Sequence, residues 1–266
     1  VSKPLPLSDF RALRRVLEEH EFATGGEDVP PSDLIKPEIW SGIMHLPDDV
    51  AIKISNHEGA RLELLYSLWG DWIQAVGNPL NPDNLFAGML DAADCFQCTT
   101  FDLLHGFYRS ALANLRSGLE LVAAGAYGNL RPSDPQYVAW TKGGARLSFS
   151  GWRNHLHAVV SEETQWFLKK DSWPDQLYSD LCRYTHSRPG ASDGTLWESN
   201  GPVYNGAAIE LTFKMSLSTY AVGYLLTKLG RSNSRLADSS RILFELDWMP
   251  GHGELRKAFD QLYSEA

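Results

Sequence analysis

Residues 101–126 read FDLLHGFYRSALANLRSGLELVAAGA, and the placing of their apolar side chains decides the fold class. Phe101, Leu104, Tyr108, Ala111, Leu115, Leu119, Val122 and Ala126 recur at steps of three and four, the spacing that lines up side chains on one face of an α-helix. The spacing predicts one long amphipathic helix across the stretch. Gly118 and the alanines leave room for a neighbouring helix to come close. That packing must offset the roughly 1 kcal/mol that a glycine costs a helix relative to alanine.

Working outward, Ala207–Leu229 is apolar around nearly its whole circumference, with Glu210 and Lys214 ordered for an i,i+4 pair, and is expected to be the central buried helix. Its charge-free part, Met215 to Thr227, contains two Ser and two Thr and is shorter than the roughly 20 apolar residues that span a bilayer, so no membrane partner is expected. Ser172 and Pro174 offer a cap and a first-turn proline for a helix carrying Trp173, Leu177, Leu181 and Tyr184. Further helices are expected between Trp152 and Leu168, over Arg241–Leu246 and over Glu254–Tyr263, with breaks at Gly128–Pro135, Gly143–Gly144 and Asp193–Pro202.

On the N-terminal side, Asn56 is a candidate cap for a helix through Leu62, Leu65, Leu68, Trp69 and Trp72 that stops at Gly77 and Pro79. Ser8 can cap another through Phe10, Leu13, Val16 and Leu17, followed by a proline-rich connector over Val29–Pro37. Between them Val50, Ile52 and Ile54 alternate with Ala51, Lys53 and Ser55, the period of a strand, which suggests a short β-hairpin. The fold expected is all-α: a single domain over 1–266, with an irregular or hairpin-bearing N-terminal section (1–56) and a helical bundle (57–266). No internal repeat or heptad array is present.

Composition narrows the function classes. A chain of 266 residues buries roughly two-thirds to three-quarters of its unfolded surface, and 43% hydrophobic with 21% charged residues is ordinary globular usage. The formal charge of −9 argues against a surface uniformly attractive to phosphate, while leaving room for a local basic cleft. Three cysteines cannot all pair and suit a reducing compartment, and the start Val1-Ser2-Lys3-Pro4 lacks a secretory pattern, so a cytoplasmic location is expected. There is no P-loop, dinucleotide fingerprint or nucleophile elbow, and no cofactor is expected.

Three constellations could carry chemistry. In Leu177–Gly190, LYSDLCRYTHSRPG, Arg183 and His186 lie three apart on one helical face. The guanidinium can bind a phosphate while the imidazole exchanges protons near neutral pH; equally, both can serve the open carbonyls of the last helical turn. In the first stretch, Asp102, Arg109 and Arg116 are seven apart and Glu120 is one turn beyond Arg116, a row that can hold an anion or form a solvated face. Cys95 and Cys98 have the spacing of a zinc half-site that Cys182 and His186 could complete, against the commoner use of cysteine as a buried apolar residue. His155 and His157 share a face only on a strand. Trp140, Trp152 and Trp197 fall near loops, where stacking on a base competes with the commoner packing role.

Together, FYRSALANLRSGLELV (107–122) and LYSDLCRYTHSRPG (177–190) resemble bacterial HEPN-like proteins, α-helical bundles among toxin, abortive-infection and RNA-processing proteins that are often dimeric. The resemblance implies a metal-independent ribonuclease or an inactive relative. It puts His186 in the position of the catalytic histidine; beside it, the residues themselves offer Arg183 as phosphate binder, Arg109 or Arg116 to support the cleft, and Glu120, Tyr184 and Arg188 as further binding candidates. The implied partners are RNA, an antitoxin or other protein, and a second copy of the chain. Active members carry an arginine four to six intervening residues before the histidine; here Ser179, Asp180 and Leu181 stand at those positions, and Arg183 is closer. The alternatives from other classes are a non-catalytic helical interaction module, which suits the acidic balance, and a structural zinc protein.

Overall fold

A computed structural model describes residues 37–77, 80–144, 147–185 and 201–263, and every regular element among them is helical. These are α1 (Pro37–Ala75), α2 (Asn84–Leu104), α3 (Tyr108–Leu130), α4 (Pro135–Thr141), α5 (Phe149–Val159), α6 (Glu162–Gln165, continuing as a 3₁₀ turn over Trp166–Leu168), α7 (Trp173–Thr185), α8 (Gly206–Gly230), a 3₁₀ segment (Ser239–Phe244) and α9 (His252–Tyr263). By its contacts the chain divides at Leu46/Pro47. Of the N-terminal part, Pro37–Leu46 is described and is helical; the helix expected from Ser8 and the connector before Pro37 lie outside the described residues.

The body from Pro47 onward is organised around α3, which is packed by α2, α8, α7 and α5. Tyr108, Ala111, Leu115, Leu119, Val122 and Ala126 are all buried, so the apolar stripe is the core of the bundle. Small residues set how closely its neighbours approach. A Cβ on Gly88 of α2 would stand 2.6 Å from the Leu121 carbonyl oxygen, and one on Gly230 of α8 would stand 2.7 Å from Ala126 Cα. Backbone therefore meets backbone on two sides of α3. Gly118 instead makes room for the Phe96 ring. As its sequence predicts, α8 is buried nearly all round, with the Glu210–Lys214 pair (2.6 Å) on its exposed first turns.

Three expectations are corrected. The stretch 101–126 is not one helix: α2 ends at Leu104 and α3 begins at Tyr108. Gly106 adopts φ +76, its N–H donates to the Leu103 carbonyl (3.2 Å), and the Phe107 N–H donates to the Asp102 carbonyl (2.8 Å). This pair of bonds is the Schellman ending, which glycine permits because it carries no Cβ. The apolar period runs through the turn in phase by coincidence, and Phe101 is in fact 58% exposed.

The second correction is at Val50–Ser55, which is helical within α1 rather than a strand. Val50 and Ile54 are i,i+4 neighbours and both buried, while Ile52 is 60% exposed, so the alternation reports two opposite faces of a helix. Asn56 does not start a helix either. The backbone leaves helical geometry two residues later, at Glu58 (φ −122, ψ 17), so the signal there marks a kink.

One pole of the bundle is tied by a single guanidinium. Asp83 caps α2, accepting from the Phe86 N–H (2.9 Å). Arg231, just past α8, donates Nε and Nη2 to the two Asp83 oxygens (2.8 and 2.7 Å) and reaches the Ala75 and Val76 carbonyls at the end of α1 (3.1 and 3.2 Å). The hydrogen bond from Arg231, opposed by burial, holds the Asp83 carboxyl below the ordinary aspartate range. No described helix is long and apolar enough to cross a membrane.

Candidate functional site: the seam between α3 and α7

α7 presents Leu177, Tyr178, Leu181 and Tyr184 to the bundle and Asp180 and Arg183 to solvent, an amphipathic division that follows from their helical spacing. Its start is fixed from elsewhere in the chain. Ser172, expected as the cap, donates its hydroxyl to the Lys169 carbonyl (2.7 Å), and the Trp173 N–H is taken by Glu254 Oε2 of α9 (2.9 Å). Arg153 of α5, only 4% exposed, then binds Asp175 in the first turn of α7 (2.8 Å) and the Lys169 carbonyl (2.9 Å). These contacts set the position from which α7 meets α3.

At the seam, the Tyr178 hydroxyl donates to Glu120 Oε1 at 2.5 Å, while its ring stacks on Phe149 with centroids 5.0 Å apart. Arg116 Nε stands 3.9 Å from the same carboxylate oxygen. The carboxylate's hydrogen bond thus goes to the phenol, and Arg116 keeps only the charge attraction. Burial, reinforced by the Glu120 carboxylate and the Cys182 thiol, pushes the Tyr178 phenol far above its ordinary range, so it remains a proton donor.

Of the residues singled out from sequence, Arg116 and Glu120 come together on α3 and face α7. Arg109 is half-buried in the first turn of α3. Asp102 does not continue that row: it belongs to α2 and reaches across the Gly106 turn to accept from Ser110 (2.5 Å) and Asn114 (2.9 Å). Burial raises its carboxyl above the ordinary value. Arg183 lies in the last turn of α7 with 53% of its side chain exposed, 3.6 Å from Asp180 and 4.9 Å from the centroid of the Tyr184 ring. Tyr184 is buried, its oxygen accepting from Arg183 Nη2 (3.0 Å). His186 and Arg188 lie outside the described residues.

The tyrosine that meets Glu120 is therefore Tyr178, which sequence reasoning passed over in favour of Tyr184. The available signal was its place beside Leu177 and Leu181 on the apolar face. Trp152 is a core residue with no exposure, packed edge-on to Trp140 (5.6 Å, 79°), so it offers no face to a base; Trp197 lies outside the described residues. His155 and His157 are on helical α5 and point apart, His155 toward the Tyr127 ring.

Cys95 and Cys98 are a turn apart on α2, and Cys182 lies on α7. Among the described residues no three His, Cys, Asp or Glu side chains converge as a metal site requires. Burial, with Cys98, Asp91 and Asp94 nearby, pushes the Cys95 thiol up to about 11, so on its own it stays protonated at neutral pH.

Chemically, the seam offers a cation beside a carboxylate whose orientation is fixed by a phenol, and a half-exposed guanidinium in the last described turn of α7. The chain has no significant match among models of known families, characterised proteins or solved structures.

Proposed function

We propose that the protein is a HEPN-like protein acting on RNA as a metal-independent ribonuclease at the seam of α3 and α7. The observation that supports this reading is that the two segments carrying the resemblance, 107–122 and 177–190, meet through the Tyr178–Glu120 hydrogen bond with Arg116 beside it. In this reading Arg116 and Arg183 hold the phosphate, Arg109 adds positive charge at the near end of α3, and His186, which follows Thr185 in the sequence, moves the proton. The 2′-oxygen attacks phosphorus as its proton is taken, the bond to the 5′-oxygen breaks, and that oxygen receives a proton. Positive charge beside the phosphorane stabilises the negative charge that builds there. The test incubates purified protein with RNA in excess chelator, beside His186→Ala. Cleavage by the parent and none by the variant is expected; equal cleavage by both, or none by either across varied substrates, overturns the reading.

A second reading is favoured by Asp180, a carboxylate at one of the three positions where active HEPN-like proteins place arginine, 3.6 Å from Arg183 and repulsive to phosphate. In it the bundle is a non-catalytic interaction module that binds a second copy or a protein partner such as an antitoxin. A dimeric solution mass, or a partner that co-purifies stoichiometrically, is expected; a strict monomer with no partner overturns it.

A further inference from the structure

A cavity of about 910 Å³ opens at the far end of α3, between the ends of α5, α8 and α9. Leu130, Val160, Leu229 and Leu236 give it an apolar wall, and Lys228, Arg235 and Arg241 give it positive charge. Among the described residues no Asp or Glu lines it, in a chain that carries 33 acids against 24 Lys and Arg. Random placement in so acidic a protein does not favour three cations without a carboxylate.

The charges are also poorly neutralised. Lys228 is only 8% exposed; its Nζ donates to the Ser232 and Ser234 carbonyls (2.5 and 3.3 Å) and lies 4.9 Å over the Tyr263 ring. These contacts, with the negative end of α8, solvate the ammonium, yet among the described residues no carboxylate pairs with it. A buried cation ordinarily has such a partner. Arg235 is exposed and has no ion pair among the described residues, and the Asp238 that faces Arg241 at 3.4 Å is itself 99% exposed, a pairing that water largely screens. The volume falls in the range of small-molecule pockets, which combine apolar walls with a few placed polar groups.

We propose that this cavity binds an amphipathic organic anion, with a carboxylate head between Lys228 and Arg235 and an apolar body against Leu130, Val160 and Leu229. Leu130 lies ten residues beyond Glu120 on α3, about 15 Å along the helix axis, so this site is separate from the seam and stands or falls apart from the RNA reading.

Calorimetric titration of the full chain with decanoate below its micellar range, with decanol and with inorganic phosphate tests it. Decanoate is expected to bind saturably at one site, with decanol and phosphate each at least about tenfold weaker, since each lacks one half of the complement. Arg235→Gln, a change at an exposed position, should weaken decanoate about tenfold without moving the unfolding midpoint. Val160→Trp, which fills the wall, should abolish binding. Absence of saturable decanoate binding, equal binding of decanol or phosphate, or decanoate binding unchanged in both variants overturns the proposal.

Discussion

Arg153 and Arg231 carry the same side chain as Arg116 and Arg183, yet the carboxylates they meet lie in different places along the chain. The first two spend their donors on backbone carbonyls and on carboxylates brought from other elements: Arg231 reaches Asp83 across 148 residues and Ala75 across 156. The second two face carboxylates three or four residues away on their own helices, at 3.6 and 3.9 Å. A guanidinium that binds carbonyls and carboxylates from distant elements ties those elements together, whereas one that faces a carboxylate on its own helix does not by that contact join one helix to another. Net charge and spacing alone do not separate these roles.

That contrast can be broken from its strong end downward. Arg153→Met should cost about 3–4 kcal/mol, because it leaves the largely buried Asp175 carboxylate without its cation, the Asp171 N–H (2.9 Å) remaining; a urea midpoint corresponding to less than about 1 kcal/mol would erase the distinction. Arg231→Met should cost about 2–3 kcal/mol, less because Asp83 is 34% exposed. It also carries a pH signature. The folded pKa of Asp83 lies below its ordinary 3.8, so its stabilisation is present above that value and is lost as pH falls through the folded pKa. Removing Arg231 should therefore shrink the parent's loss of stability below pH 3.8, and an NMR titration of Asp83 should show its midpoint rising. An unmoved midpoint would refute the assigned cause.

Tyr178→Phe comes next, at about 1–2 kcal/mol for a hydrogen bond to a carboxylate at a part-buried seam, read by thermal unfolding. No loss would detach α7 from Glu120. Smallest is Arg183→Ala, expected within about 0.5 kcal/mol of the parent. A loss above about 1 kcal/mol would move Arg183 into the group of Arg153 and Arg231 and weaken its assignment to phosphate.

The all-helical class and the starting points of α7 and α8 were legible because buried faces repeat with helical period, and α8 carries that signal over 25 residues. The split of 101–126 was written in the sequence as His105-Gly106, but the period passes through it without a phase slip and hides the turn. Val50, Ile52 and Ile54 were too few to distinguish two helical faces from a strand. At the seam, Arg116 and Glu120 were legible as an i,i+4 pair. Tyr178 was not, because its meeting with Glu120 spans 58 residues and depends on where Glu254 and Arg153 hold α7. Local spacing reports which residues share a face, and long-range hydrogen bonds decide which faces meet.

The Arg231 knot gives the polypeptide a clock. The carbonyl of Ala75 is made 156 residues ahead of the guanidinium that will serve it, an interval of about 8 to 30 s at ordinary elongation rates. Until then water must occupy that pole, and the helices already made wait, open at one end, for Arg231 to be added.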